Sequence, residues 1–348
     1  MRCRSAVSVV AAVFVAMGST VVGSNAAFAE GPGSGIAVSN RAIAIDGSRA
    51  EIISISGRQV TVRIHSAAMG RDVSVKVQRP ADTSVPRPAL YLVNGAGGGE
   101  DTATWERNTD VVDFLAGKPV NVVMPIGGAW SYYTDWREPD PTLGVNKWRT
   151  FFLDELPALI DAMFATTGRN AIAANSMSVT SVLQLAIAEP GLFRAVAAYS
   201  GCAQISDPVG RQFVNLVVGT GGGDASNMYG PPGDPAWAAN DPLVHAEGLR
   251  GTKLYISNGN GLPGEYDKPG DPHLISWGPI GLANQVVVGG IIEAATGWCT
   301  KNLQDRLDEL DIPATFDVDT QGTHSWGYWQ NAFKRSWPVL AEGMEIPA

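Results

Sequence analysis

The sequence predicts an α/β fold: a mostly parallel central sheet with helices on both faces and antiparallel strands at its N-terminal side. Three observations predict it. Early segments alternate apolar and polar residues, later segments are short and almost wholly apolar, and helical patterns separate those later runs. Alternation is typical of half-buried antiparallel strands, whereas apolar runs between helices are typical of parallel strands covered on both faces.

The alternating strands come first along the chain. EIISISG (51–57), VTVRIHS (60–66) and VSVKVQ (73–78) place β-branched residues at every second position. Residues 30–48 are rich in glycine and serine and lack periodicity, so we expect a loose lead into the sheet.

The buried strands and their helices follow. The apolar runs cover 89–95, 120–128, 170–176, 195–201, 252–259 and 314–319. Helical patterns cover 109–117, 150–164, 179–190 and 291–310. We expect the Gly- and Pro-rich stretches 217–235 and 258–290 to be long loops, which are more often functional than idle.

The N-terminus has the pattern of a secretory leader. Arg2 and Arg4 precede an apolar stretch over 6–22, and an AFA triplet ends at Ala29. We therefore expect a signal peptide over 1–29, cleavage near Ala29, and a single exported domain over 30–348. A retained N-terminal anchor is the alternative. After the leader we expect no segment able to cross a bilayer.

Charge and composition exclude several classes. The chain has 25 Lys and Arg against 34 Asp and Glu, a net charge of −9, and its basic residues are scattered. Nucleic acid is not an expected partner, because phosphate neutralisation needs clustered cations. No phosphate-cradling loop, dinucleotide fingerprint, HExxH motif or His/Cys cluster occurs, so we expect neither cofactor nor metal. In an exported protein, Cys202 and Cys299 are expected to form a disulfide.

Ser176 is the candidate nucleophile. It ends the apolar run 170–176 and precedes a helical pattern, where a nucleophile elbow would lie. The usual glycines two residues before and after are replaced by Ala174 and Ser178, which are also small. The alternative is that Ser176 only caps the helix.

The base should be a histidine after the last strand, since the chain order in such hydrolases is serine, acid, histidine. Four histidines are available: His65, His245, His273 and His324. His324 alone directly follows the last strand, in the loop THSWGYW, and is the candidate base.

The acid remains open by chain order alone. The carboxylates between the last two strands are Glu265, Asp267, Asp271 and Glu293. Asp317 and Asp319 lie on the final strand, from which they are not expected to reach the far imidazole nitrogen. For the oxyanion, the amide of Met177 follows the serine, and the glycine-rich end of ALYLVNGAGGGED (89–101) is expected to supply a second amide.

At this point the residues resemble a known family. MGRDVSVKVQ (69–78), KWRTFFLDELP (147–157), NSMS (175–178), MYGPPGDPAW…NDPL (228–243) and GTHSWGYW (322–329) are similar to the secreted mycolyltransferases of the mycobacterial antigen-85 type. These are α/β-hydrolases that transfer mycolic acyl chains from trehalose monomycolate.

The resemblance implies roles for individual residues. Ser176 matches the family nucleophile, His324 the base, and Glu293 the acid. Ala96 matches the early-strand oxyanion donor, beside Met177.

It also implies a sugar site and a departure from it. Ser325 and Trp326 beside the histidine match substrate-binding positions. Asn94 and Gly97 stand where the family has an Asp and an Arg that hold trehalose. Without those charges the hydrogen bonds to sugar hydroxyls become weaker. Independently of the resemblance, Trp130, Trp277 and Trp326 are candidates for the wall of an acyl groove, with packing in the core or at the surface as the alternative for each.

The expected function is therefore that of a secreted, monomeric acyltransferase. It would move a mycolyl group from trehalose monomycolate, or a related acyl sugar, to a second trehalose monomycolate or a cell-wall acceptor through a serine acyl-enzyme, in contact with the outer lipid layer. One alternative is a secreted carboxylesterase with water as acceptor. Another, of a different class, is a non-catalytic wall- or matrix-binding protein.

Overall fold

The computed structural model describes residues 22–23, 36–275 and 278–348. The remainder of the expected leader, its cleavage site near Ala29 and the groove candidate Trp277 lie outside the described residues.

The described strands form one mixed sheet. They are β1 (Val22–Gly23), β2 (Arg41–Ile43), β3 (Arg49–Ser56), β4 (Gln59–Ser66), β5 (Arg71–Gln78), β6 (Ala89–Val93), β7 (Asn121–Ile126), β8 (Asn170–Asn175), β9 (Phe193–Tyr199), β10 (Lys253–Asn258) and β11 (Thr315–Val318). The spatial order is β1-β2-β3-β4-β5-β7-β6-β8-β9-β10-β11. Pairing is antiparallel from β1 to β5 and between β5 and β7, and parallel from β7 to β11. The expected mixed α/β fold is confirmed.

Helices connect the strands. They are α1 (Trp105–Asn108), α2 (Val111–Ala116), α3 (Trp148–Thr150), α4 (Leu156–Phe164), α5 (Ser178–Ala188), α6 (Pro208–Thr220), α7 (Ser226–Tyr229), α8 (Pro235–Ala239), α9 (Pro279–Asn284), α10 (Gly290–Glu309) and α11 (Trp326–Met344). Wider π-helical turns, Phe151–Glu155 and Gln285–Gly289, join α3 to α4 and α9 to α10.

Two apolar cores lie on opposite faces of the sheet. One takes buried residues from α4, α5 and α10, including Leu159, Val182 and Leu303. The other takes them from α1, α2 and α11, including Trp105 and Phe333. β6 and β8 are buried along their whole length, because helices cover the parallel strands on both sides. The carboxyl ends of β6, β8, β9 and β10 therefore meet at one edge.

Several expectations for the connecting segments were wrong. The lead over 30–48 contains β2. The expected loops contain α7, α9 and the π-helical turn that joins α9 to α10. Pro279–Glu309 is one helix of 31 residues that is long and apolar enough to cross a membrane, although no such segment was expected. Its inner face packs on the protein through buried Glu293, Cys299 and Leu303. In this structure the helix therefore lies along the domain.

Candidate active site

Ser176 occupies a strained turn between β8 and α5. Its φ of 58° is in the left-handed region, which non-glycine residues seldom adopt. The Ser176 amide donates to the carbonyl of Tyr199 at 2.9 Å, and its hydroxyl lies 2.8 Å from His324. Met177, not Ser176, is the residue before the first turn of α5, and no side chain caps that turn. Capping thus does not explain Ser176, and strained residues of this kind cluster at functional sites.

The two small residues around the turn fit it in different ways. Ala174 is fully buried on β8. The Ser178 hydroxyl donates to the carbonyl of Asn94 at 2.5 Å, which joins the elbow to the loop after β6. On the opposite side, a Cβ at Gly201 would lie 2.4 Å from the Ser176 carbonyl. The elbow therefore depends on a glycine of the neighbouring strand end rather than on one of its own.

A hydrogen-bonded chain runs from the serine to a buried acid. His324 Nε2 lies 2.8 Å from Ser176 Oγ, and His324 Nδ1 lies 2.8 Å from Glu293 Oε2. Because an ionised carboxylate only accepts, Nδ1 carries the proton and Nε2 is left to accept from the serine. Glu293 lies on α10 with its side chain 1% exposed, and His324 lies in the loop after β11.

The second carboxylate oxygen of Glu293 is held by residues that are not among the candidates predicted from sequence. It accepts from the Gly259 amide at 2.6 Å and from the Ser200 hydroxyl at 2.7 Å. Trp329 Nε1 donates to Ser200 Oγ at 2.9 Å. The Trp329 ring also packs edge-on against the His324 ring, with 4.8 Å between the ring centroids. Ser200 directly follows β9 as Ser176 directly follows β8, and this parallel in AYSG and AANS was the available signal.

Asp267, another of the candidate acids, instead binds residues in and next to the loop 319–325, which contains His324 and which we call the histidine loop. Its carboxylate accepts from Thr323 at 2.5 Å, from Gln285 at 2.8 Å and from the Tyr328 hydroxyl at 2.7 Å. Burial, together with the Asp267 carboxylate, raises the pKa of Tyr328, so its hydroxyl remains a donor. Asp267 thereby ties the residues on both sides of His324 to the segment after β10.

The remaining acids and histidines bond to other partners. Asp271 pairs with His273, and Glu265 accepts from Asn331. The other two histidines bond elsewhere: His65 to Asp72 and His245 to the carbonyl of Ala238.

The two expected oxyanion donors lie beside Ser176. Ala96 and Met177 both line the groove that contains the serine. Neither amide donates to another acceptor among the described residues. The carbonyl of Ala96 accepts from the Trp130 amide at 2.7 Å, which fixes the loop. Backbone amides at these two positions beside the serine are the groups that could stabilise a developing oxyanion.

An apolar groove of about 500 Å³ opens over the serine. Ser176, Met177 and His324 line it. Its sides are Phe213, Leu216 and Val217 from α6, and Val288, Ile291 and Ile292 from the α9–α10 helix. Trp130, one of the three expected tryptophans, also lines it. Such a surface suits an acyl chain.

The four expected sugar-binding residues do not line this groove. Asn94 is buried and accepts from the Trp105 amide at 3.0 Å. Ser325 is buried, and Trp326, only 1% exposed, packs edge-on against Trp105 in the second core. Gly97 faces Asp101 instead, since a Cβ there would lie 2.2 Å from the Asp101 carboxylate. Burial explains why Trp326 is part of the core and not the groove wall.

The expected disulfide between Cys202 and Cys299 is confirmed, with 5.0 Å between the two Cα atoms. Cys202 follows β9 and lines the groove, while Cys299 lies on α10. The bond attaches the helix that carries Glu293 to the strand end beside Ser176.

Comparison with known proteins gives consistent results. Residues 66–339 match the Esterase family model, described as a putative esterase. The diacylglycerol acyltransferase/mycolyltransferase Ag85A of Mycobacterium leprae is 33% identical over 318 residues, 88% of this chain and 91% of that protein. Ag85A of Mycobacterium tuberculosis is 32% identical over 77% of this chain and 76% of its own length.

Two solved structures are similar as well. Mycobacterium tuberculosis MPT51 (FbpC1) aligns with a TM-score of 0.65 at 25% identity, over 80% of this chain and 96% of that one. An S-formylglutathione hydrolase from Agrobacterium tumefaciens aligns with a TM-score of 0.61 at 17% identity, over 84% and 99%, a likeness of fold.

Proposed function

The chain belongs to the Esterase family, with Ag85-type diacylglycerol acyltransferases/mycolyltransferases among its relatives, and on this premise we propose that it is a secreted serine acyltransferase. It would transfer a mycolyl or similar long acyl group from trehalose monomycolate to a second hydroxyl. The observation that carries the proposal is the hydrogen-bonded chain Ser176–His324–Glu293, whose serine and histidine line an apolar groove.

The first half-reaction would form the acyl-enzyme. His324 Nε2 takes the proton of Ser176 as Oγ attacks the ester carbonyl. The amides of Ala96 and Met177 stabilise the oxyanion. The ester bond to trehalose then breaks, His324 gives the proton to the departing sugar oxygen, and the acyl group remains on Ser176. Glu293 stabilises the imidazolium that forms between these steps.

The second half-reaction would be the reverse with a new acceptor. A hydroxyl of trehalose monomycolate or of a cell-wall glycan gives its proton to His324 and attacks the acyl-enzyme. The groove favours transfer over hydrolysis if it holds the acyl chain and excludes water. If water is the acceptor, the same residues give the alternative, a carboxylesterase.

Mass spectrometry of the products tests the proposal. Purified protein with trehalose monomycolate should yield the dimycolate and free trehalose, Ser176→Ala should yield neither, and Ser54→Ala, on the exposed side of β3, should match the wild type. Free fatty acid as the sole product would replace the transferase with the esterase. Failure of a fluorophosphonate to label Ser176 would instead favour a non-catalytic binding protein.

A further inference from the structure

The helix that carries Glu293 presents an apolar surface to solvent. Between Asp271 and Lys301 the only Asp, Glu, Lys or Arg is Glu293, which faces inward. The outward side chains, which we call the apolar face, are Ile280, Val287, Val288, Ile291, Ile292 and Trp298. Ile280 is 87% exposed and Ile291 is 68% exposed. Contiguous exposed apolar side chains of this kind mark interaction sites.

The apolar face continues into the groove. Val288, Ile291 and Ile292 are both exposed and part of the groove wall. Leu216 on α6 is also exposed and lines the same groove. An acyl chain that enters along these residues would therefore pass from one apolar surface to another without crossing polar side chains.

We propose that the apolar face docks on an uncharged lipid surface, from which the acyl ester passes into the groove. This inference rests on the proposed function for the nature of the substrate. A second copy of the chain on these side chains would cover Val288, Ile291 and Ile292 of the groove wall without supplying an acyl ester, whereas a lipid surface there supplies one. The face carries no cation that could attract anionic headgroups, so binding depends on apolar contact and not on salt.

Sedimentation with uncharged phosphatidylcholine vesicles tests docking without turnover, in a Ser176→Ala background. Ile280→Glu/Val287→Glu should lower the vesicle-bound to free ratio at least tenfold, because two carboxylates would enter the lipid boundary. Neither residue lines the groove. The matched control, Ile45→Glu/Ile55→Glu, adds two carboxylates at exposed sites of the N-terminal strand region and should bind as its parent does. Binding of the parent should persist at high salt.

Three results would overturn the proposal: no binding by the parent, equal loss in both double variants, or a stable dimer that only Ile280→Glu/Val287→Glu dissociates. With Ser176 restored, that variant should keep its hydrolysis of a soluble short-chain ester and its near-UV circular dichroism, which excludes misfolding. Vesicle binding and acyl transfer are measured separately. Absence of trehalose dimycolate in the product assay would reject the proposed function while the docking result stands.

Discussion

The two sides of Ser176 differ in how closely their residues match the roles expected from the sequence. On the acid–base side, the ends of β9 and β10, α10 and the histidine loop enclose Glu293 and His324 in hydrogen bonds. On the opposite side, the loop after β6 forms a glycine-rich turn. The side chain of its Asn94 already accepts a hydrogen bond from the Trp105 amide. The comparison shows that Ser176, His324 and Glu293 form one hydrogen-bonded chain, whereas the residues expected to hold the sugar do not face the groove.

Glu293→Gln should have the largest effect, on the acid–base side. One of the two carboxylate oxygens of Glu293 would be replaced by an NH₂ group, which would face a donor, either His324 Nδ1–H or the Gly259 amide. The tautomer of His324 would therefore be disturbed. We expect kcat for ester hydrolysis to fall by about 10⁴-fold, as for comparable substitutions in serine triads. Glu265→Gln, an exposed acid of the neighbouring loop, is the control and should leave kcat unchanged. A loss of less than tenfold in Glu293→Gln would remove Glu293 from the triad.

Cys202→Ser/Cys299→Ser tests how much the disulfide contributes to holding α10, the helix that carries Glu293, against the rest of the domain. The disulfide closes a sequence separation of 97 residues, and we expect its removal to lower the free energy of unfolding by about 2–4 kcal/mol. Urea denaturation of the variant and of the oxidised wild type measures the difference. Wild type unfolded with a reductant should match the variant. Equal stability in all three would mean that packing alone holds α10.

The smallest effect is expected on the acceptor side. Asn94→Asp/Gly97→Arg introduces the Asp and Arg that the family resemblance implies for trehalose, and Asp101→Ser is added because Asp101 lies where the new side chain would begin. We expect the KM for trehalose as acceptor to fall about tenfold, the equivalent of one charge-assisted hydrogen bond. Asp101→Ser alone is the control. An unchanged KM would mean that the acceptor binds elsewhere.

Local sequence patterns predicted much of the fold and part of the candidate site. The strands β3 to β11, the elbow at Ser176 and the late position of His324 follow from periodicity and chain order. The choice among four acids did not follow from them, since Asp267 and Glu293 both lie between the last two strands and differ only in what they contact. Ser200 and Trp329 were missed because their roles depend on residues far along the chain.

Local sequence was enough to predict the mixed sheet, the turn at Ser176 and the pairing of the two cysteines, because each depends on the chemistry of neighbouring residues or on composition. Tertiary packing brings Ser176 and His324, 148 residues apart, into one hydrogen bond and places Trp326 in the core. It also decided that the helix Pro279–Glu309 has an inner face with the acid and an outer apolar face. Side chains that meet through packing leave no signal in the local pattern, since burial depends on elements distant in sequence.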